Sequence, residues 1–131
     1  EKIYILARGT TALIARDFEF QLQLLGYNAF VLSDSQIMRN SKKLFKENDI
    51  VMIFTLKNST PELEMSAKFA KEVGATVITC CCIQGTSLEK YSDLSILGGR
   101  KKNNSMIEEF NVMSRLPLHI IARTLIDYLT L

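Results

Sequence analysis

The chain has 131 residues, 47% of them apolar, which fits one domain around one core and excludes a disordered segment. Sixteen basic residues against fourteen acidic ones give a net charge of +2, so no global field argues for nucleic-acid binding. No apolar run approaches the ~20 residues of a membrane span, and no secretory leader opens the chain.

The first residue is Glu1 rather than methionine, and the chain is strand-like by Ile3, which predicts a domain excised from a longer protein. The apolar run KIYILA (2–7) is the first expected strand, followed by helical patterning over 10–26 that ends at Gly26, a residue suited to a helix C-terminus. NAFVLS (28–33) is the second strand. Asp34 stands where an N-cap belongs, ahead of helical patterning over 35–46. DIVMIFT (49–55) is the third strand, and a helix over 60–73 closes at Gly74.

ATVITCCC (75–82) is the fourth strand and contains all three cysteines, Cys80, Cys81 and Cys82. Adjacent cysteines lack the spacing of a zinc knuckle or a redox pair, and an odd number does not suit a secreted disulfide framework. Buried, reduced thiols and a cytoplasmic location are expected. A short helix near 86–91 has Thr86 and Glu89 in capping-box positions, and DLSIL (93–97) is the fifth strand. After the polar stretch GGRKKNNS comes a long helical segment, 106–131, apolar around much of its circumference through Val112, Met113, Leu116, Ile120, Ile121, Leu125, Ile126 and Leu129. Such a helix either packs deep against the sheet or also meets another subunit. Pro117 should kink it or mark its true start.

Short, nearly continuous apolar strands alternating with helices predict an α/β fold: a three-layer α/β/α sandwich around a five-stranded parallel sheet. Right-handed crossovers favour the flavodoxin-like order 2-1-3-4-5. Ligands in such sheets bind beyond the carboxyl ends of the strands where the order reverses, here at the loops ARGTT (7–11) and TLKNST (55–60). Each loop leads into a helix N-terminus, whose N–H groups and dipole favour an anion. Thr10, Thr11, Thr55, Ser59 and Thr60 add hydroxyl donors, and Gly9 permits a tight turn. That set suits a phosphate monoester without metal or other cofactor. Capping is the competing account: Ser59 with Glu62 fits a capping box, and Thr60 with Pro61 an N-cap followed by proline. Neither G-x-G-x-x-G nor a P-loop is present, so nucleotide binding is not expected.

These residues resemble a SIS (sugar isomerase) domain, most closely the effector-binding half of RpiR-type bacterial transcriptional regulators. The family's strand–GxGxS–helix signature corresponds to Ala7-Arg8-Gly9-Thr10-Thr11, and its SxSGxT signature to Thr55-Leu56-Lys57-Asn58-Ser59-Thr60. AKEVGATVITC, LEKYSDLSIL and SRLPLHIIARTLIDYL are similar to later segments of those regulators, so the likeness spans nearly the whole chain. The resemblance implies that Thr11, Thr55, Ser59 and Thr60, with backbone N–H groups from Gly9 onward, hold the phosphate of a phosphosugar. Thr10, Lys57 and Asn58 complete the expected set. Ala7 and Asn58 stand where the family has glycine, Thr11 and Thr55 where it has serine, and Lys57 replaces a serine. Asn58 tolerates a left-handed conformation. Lys57 could charge-assist phosphate binding, fill the pocket or point outward; the expectation here is a phosphate ligand.

The resemblance implies either a sensor, with DNA contacted through a missing N-terminal helix-turn-helix domain, or a sugar-phosphate isomerase. A third reading is a dimerisation module with a degenerate site. Isomerisation needs a general base poised near neutral pH. The sole histidine, His119, lies in the last helix, Glu62 is in a capping position, and Glu108 and Glu109 precede the last helix; none makes a convincing acid/base pair. The sensor reading is preferred, with a phosphosugar ligand, no membrane and a homodimer or tetramer as expected partners. Arg100-Lys101-Lys102 is read as a solvated loop.

Overall fold

In a computed structural model of the protein, residues 1–56, 60–83, 86–98 and 115–131 are described. Runs of Ile, Val, Leu and Phe become five strands: β1 (Ile3–Leu6), β2 (Ala29–Leu32), β3 (Ile50–Phe54), β4 (Thr76–Cys81) and β5 (Leu94–Leu97). All pair in parallel in the order β2-β1-β3-β4-β5, the predicted arrangement. Ile5 lies opposite Val31 on one side and Met52 on the other, and Met52 in turn opposite Ile78.

The period of two sends alternate residues to opposite faces, and both faces are apolar because both are covered. Ile5, Met52, Phe54 and Cys80 face α1 (Thr11–Leu24) and the final helix, packing with Ile14, Phe18, Leu22, Leu118 and Ile126. Phe18 meets Phe54 edge-on, ring centres 5.5 Å apart, a geometry that adds roughly 1 kcal/mol beyond area burial. Tyr4, Leu6, Val51, Ile53 and Val77 face the other way, toward α2 (Ser35–Arg39) and α3 (Pro61–Val73). The result is the expected three-layer sandwich.

Helix ends follow local chemistry. The Asp34 carboxylate accepts from the N–H groups of Gln36 and Ile37, at 2.8 and 3.0 Å, and starts α2. Gly74 ends α3 in the left-handed region at φ 86°. The helix predicted over 35–46 is instead α2 followed by a 3-10 turn, Ser41–Lys43. Side chains compete for its carbonyls: Asn40 Nδ2 donates to Gln36 O at 2.8 Å and Ser41 Oγ to Met38 O at 2.6 Å. Ser66 of α3 joins the same buried carbonyl at 3.0 Å, which fixes the break against α3. The helix near 86–91 is a 3-10 turn, Ser87–Tyr91, and its expected capping box does not form from Thr86. The tight turn brings the Glu89 N–H onto the Thr86 carbonyl, at 3.1 Å, instead of the hydroxyl.

The last helix, α4 (Leu116–Leu129), carries Pro117 in its first turn, where a missing N–H is harmless. Pro117 therefore marks a start and not a kink. Residues 106–114, including Val112 and Met113, lie outside the described residues. One side of α4 buries Leu118, Ile121, Ala122 and Ile126, while Leu116, Ile120 and Leu129 remain exposed. Cys80 and Cys81 are buried and reduced, and burial pushes the Cys80 thiol up to about 12, the inert environment expected. Among the described residues, no helix is long and apolar enough to cross a membrane.

Candidate functional site

The sheet order places the ends of β1 and β3 side by side, with the chain leaving in opposite directions. Beyond β1, Ala7 is buried and Gly9 adopts φ 58°. A Cβ at Gly9 would meet nothing within 4 Å, so the requirement for glycine is conformational and the space beside it is open. The carbonyls of Gly9 and Thr10 accept from Ala12 and Leu13, both at 3.1 Å, folding the loop directly into α1. Thr10 occupies the N-cap position, but its exposed side chain makes no cap hydrogen bond. Thr11 is the first residue of α1 and only 6% exposed.

On the neighbouring strand end, Thr55 is 7% exposed and its N–H donates to the Cys80 carbonyl at 3.0 Å. Thr60 stands at the N-cap position of α3 ahead of Pro61, as expected, yet its hydroxyl does not cap the helix. The capping account therefore holds for its backbone and fails for its side chain. The predicted site residues Lys57, Asn58 and Ser59 lie outside the described residues, as do Arg100, Lys101, Lys102, Glu108 and Glu109. Of the predicted set, Gly9, Thr10, Thr11, Thr55 and Thr60 all lie on the two switch-point loops.

Three arginines lie at or near these loops, one of them bonded to a threonine hydroxyl, and the sequence motifs do not single them out. Arg115, immediately ahead of α4, donates through Nε to Thr11 Oγ1 at 3.1 Å. Arg8 donates to the Ser33 carbonyl at the end of β2. Arg39, in the last turn of α2, pairs with Glu62 at 2.9 Å. The Arg39 hydrogen bond, chiefly, holds the Glu62 carboxyl below its ordinary range; its own backbone N–H and the charges of Arg39 and Arg8 add to this. Glu62 is thus an ionised, paired carboxylate and poorly suited to be a base near pH 7. His119 is exposed on α4. Arg8 and Arg39 could have been noticed as bases at a loop and a helix end. Arg115 reaches Thr11 across 104 positions, a contact that no local pattern encodes.

Buried hydroxyls, helix N-termini and a nearby cation are groups whose chemistry is compatible with an anion. Among the described residues, no group of three His, Cys, Asp or Glu side chains is arranged to hold a metal ion.

Comparison with known proteins adds the following. The model of the SIS domain matches residues 1–114. An uncharacterized protein of Aeropyrum pernix is 27% identical over 110 residues, covering 83% of this chain and 50% of its own length. Vibrio vulnificus NanR, solved in complex with ManNAc-6P, superposes with a TM-score of 0.84 at 17% identity, over 98% of this chain and 49% of that one. The sugar isomerase domain of an RpiR transcription factor from Sphaerobacter thermophilus gives 0.84 at 12% identity, over 98% and 69%. A hypothetical protein of Methanococcus jannaschii, for which a 3-hexulose-6-phosphate isomerase function is inferred, gives 0.67 at 20% identity, over 99% and 71%. At these identities the structural likeness is one of fold. The chain spans about half the length of the A. pernix relative and of NanR.

Proposed function

This chain belongs to the SIS domain family, and from that premise we propose that it is the phosphosugar-sensing effector domain of an RpiR-type transcriptional regulator of carbohydrate metabolism. The observation that carries the reading is that two buried threonines, Thr11 opening α1 and Thr55 just past β3, follow adjacent strands at the switch point, with a hydroxyl at Thr60 that is not used as a cap. Phosphate would sit against those hydroxyls at the amino ends of α1 and α3, where the helix dipoles favour negative charge, with Gly9, Thr10, Lys57, Asn58 and Ser59 completing the cradle. Binding would favour one arrangement of paired domains over another and so bias DNA contact made by a segment outside this chain. A cytoplasmic homodimer or tetramer goes with this role.

Glu62 favours a sensor over an isomerase. The carboxylate nearest the loops in sequence is held ionised by Arg39, whereas an enediol mechanism needs a base tuned upward. The test is a thermal-shift panel of sugar phosphates, with free sugars and inorganic phosphate as controls, repeated on Lys57→Ala. A rise for one phosphosugar, without turnover of that compound, supports the sensor. Turnover makes the chain an isomerase, and the absence of any phosphate response leaves a dimerisation module. Loss of the rise in Lys57→Ala makes Lys57 a ligand.

A further inference from the structure

A hydroxyl can donate one proton and accept on its lone pairs, whereas a guanidinium only donates. In the contact between Arg115 Nε and Thr11 Oγ1, Thr11 must therefore be the acceptor. Its own proton is then directed at some other acceptor, and accepting from a cation strengthens what it donates. Thr11 is 6% exposed and opens α1, so its hydroxyl lies at the helix N-terminus, where the dipole favours negative charge.

Arg115 also brings charge. Its Nε is one of five donors in a planar, cationic fork that matches phosphate oxygens two at a time. The seating of α4 does not depend on this contact alone. Leu118, Ile121, Ala122 and Ile126 already bury α4 in the cluster that holds Ile14, Phe18 and Leu22 of α1. Pro117 is seated against Gly98, where an added Cβ would come within 2.6 Å of it. Half-burying a cation against a neutral hydroxyl is costly for structure alone and suits a site completed by an anion.

We propose that Arg115 is a ligand-binding residue of the phosphate site: it fixes Thr11 as a donor and sets its own fork on the phosphate oxygens. This rests on the phosphosugar reading and adds to it a cation supplied from the far end of the chain. The added charge arrives from the residue just ahead of α4, so occupancy of the site and the seating of that helix are linked.

The test is a 15N-NMR titration of the chain with inorganic phosphate and with glucose 6-phosphate, with glucose as the uncharged control, in two salt concentrations. In the wild type, the amides of Gly9 to Ala12 shift saturably with phosphate and not with glucose. R115Q weakens phosphate binding by about tenfold or more and flattens its salt dependence, while R115K recovers part of the loss. The salt dependence separates a lost ligand charge from a merely loosened helix. Wild-type saturation with R115Q binding within about twofold, at the same salt slope, overturns the role of Arg115 and leaves the cradle standing. Absence of any wild-type phosphate shift overturns the cradle and this inference together. Should R115Q lose its fold, R115K decides: about three- to tenfold weaker binding supports the planar fork, and wild-type affinity overturns it.

Discussion

The two ends of the sheet use polar residues in opposite ways. At the amino end two carboxylates are engaged on both oxygens, by backbone N–H groups and a lysine. Asp49 accepts from the N–H groups of Lys2 and Lys46, at 3.0 and 2.9 Å, tying the starts of β1 and β3. Asp93 accepts from Val77 N–H at 2.8 Å and pairs with Lys71, tying β4 to β5. At the carboxyl end Asp34 still caps α2, but beyond β1 and β3 the described residues present threonine hydroxyls, and neither Thr10 nor Thr60 caps the helix it precedes. One end is chemically closed and serves stability. The other leaves side-chain donors uncommitted to capping, as the proposed binding role requires. Polar residues at strand ends carry no functional meaning until their hydrogen bonds are accounted for.

Asp49→Ala should break the closed end most severely. It orphans two N–H groups at strand starts, costing about 1–3 kcal/mol in urea unfolding, with phosphate binding unchanged. Gly9→Ala comes next, at about 1 kcal/mol, because φ 58° strains any side chain; the open space beside it predicts a folded protein whose loop, and therefore ligand affinity, suffers more than its stability.

Asp93→Asn sharpens the contrast through pH. The Lys71 hydrogen bond, chiefly, and that from Val77 depress the Asp93 carboxyl. Its contribution is therefore present above the ordinary aspartate range and lost as pH falls through the depressed value. Thermal midpoints of wild type and Asp93→Asn should differ at pH 7 and converge in strong acid; a constant gap would place the effect elsewhere. The smallest stability effect belongs to the open end. Thr60→Val should change unfolding by less than about 0.5 kcal/mol, where loss of a true N-cap costs about 1, yet weaken phosphosugar binding roughly tenfold.

The period-two apolar runs and the glycines closing α1 and α3 made the layered sheet and its strand order legible, since a parallel sheet covered on both faces leaves few other solutions. Thr11, Thr55 and Thr60 were legible because topology alone brings those loops together. The break after Arg39 was not, because it depends on Ser41 and Ser66 meeting one carbonyl from separate helices. Arg115 was not legible for the same kind of reason: its partner is set by how α4 docks, not by neighbouring residues. Local pattern predicts elements, and contacts between elements finish the site.

The three cysteines at the end of β4 have a practical consequence. Cys80 is fully buried in the middle layer, while Cys82, just beyond β4, is partly exposed. A thiol reagent at neutral pH can therefore reach Cys80 only when the sheet opens, and Cys82 through smaller fluctuations of the edge that carries the hydroxyls. The strand holds two clocks two residues apart, one keeping time for the whole fold and one for its working edge.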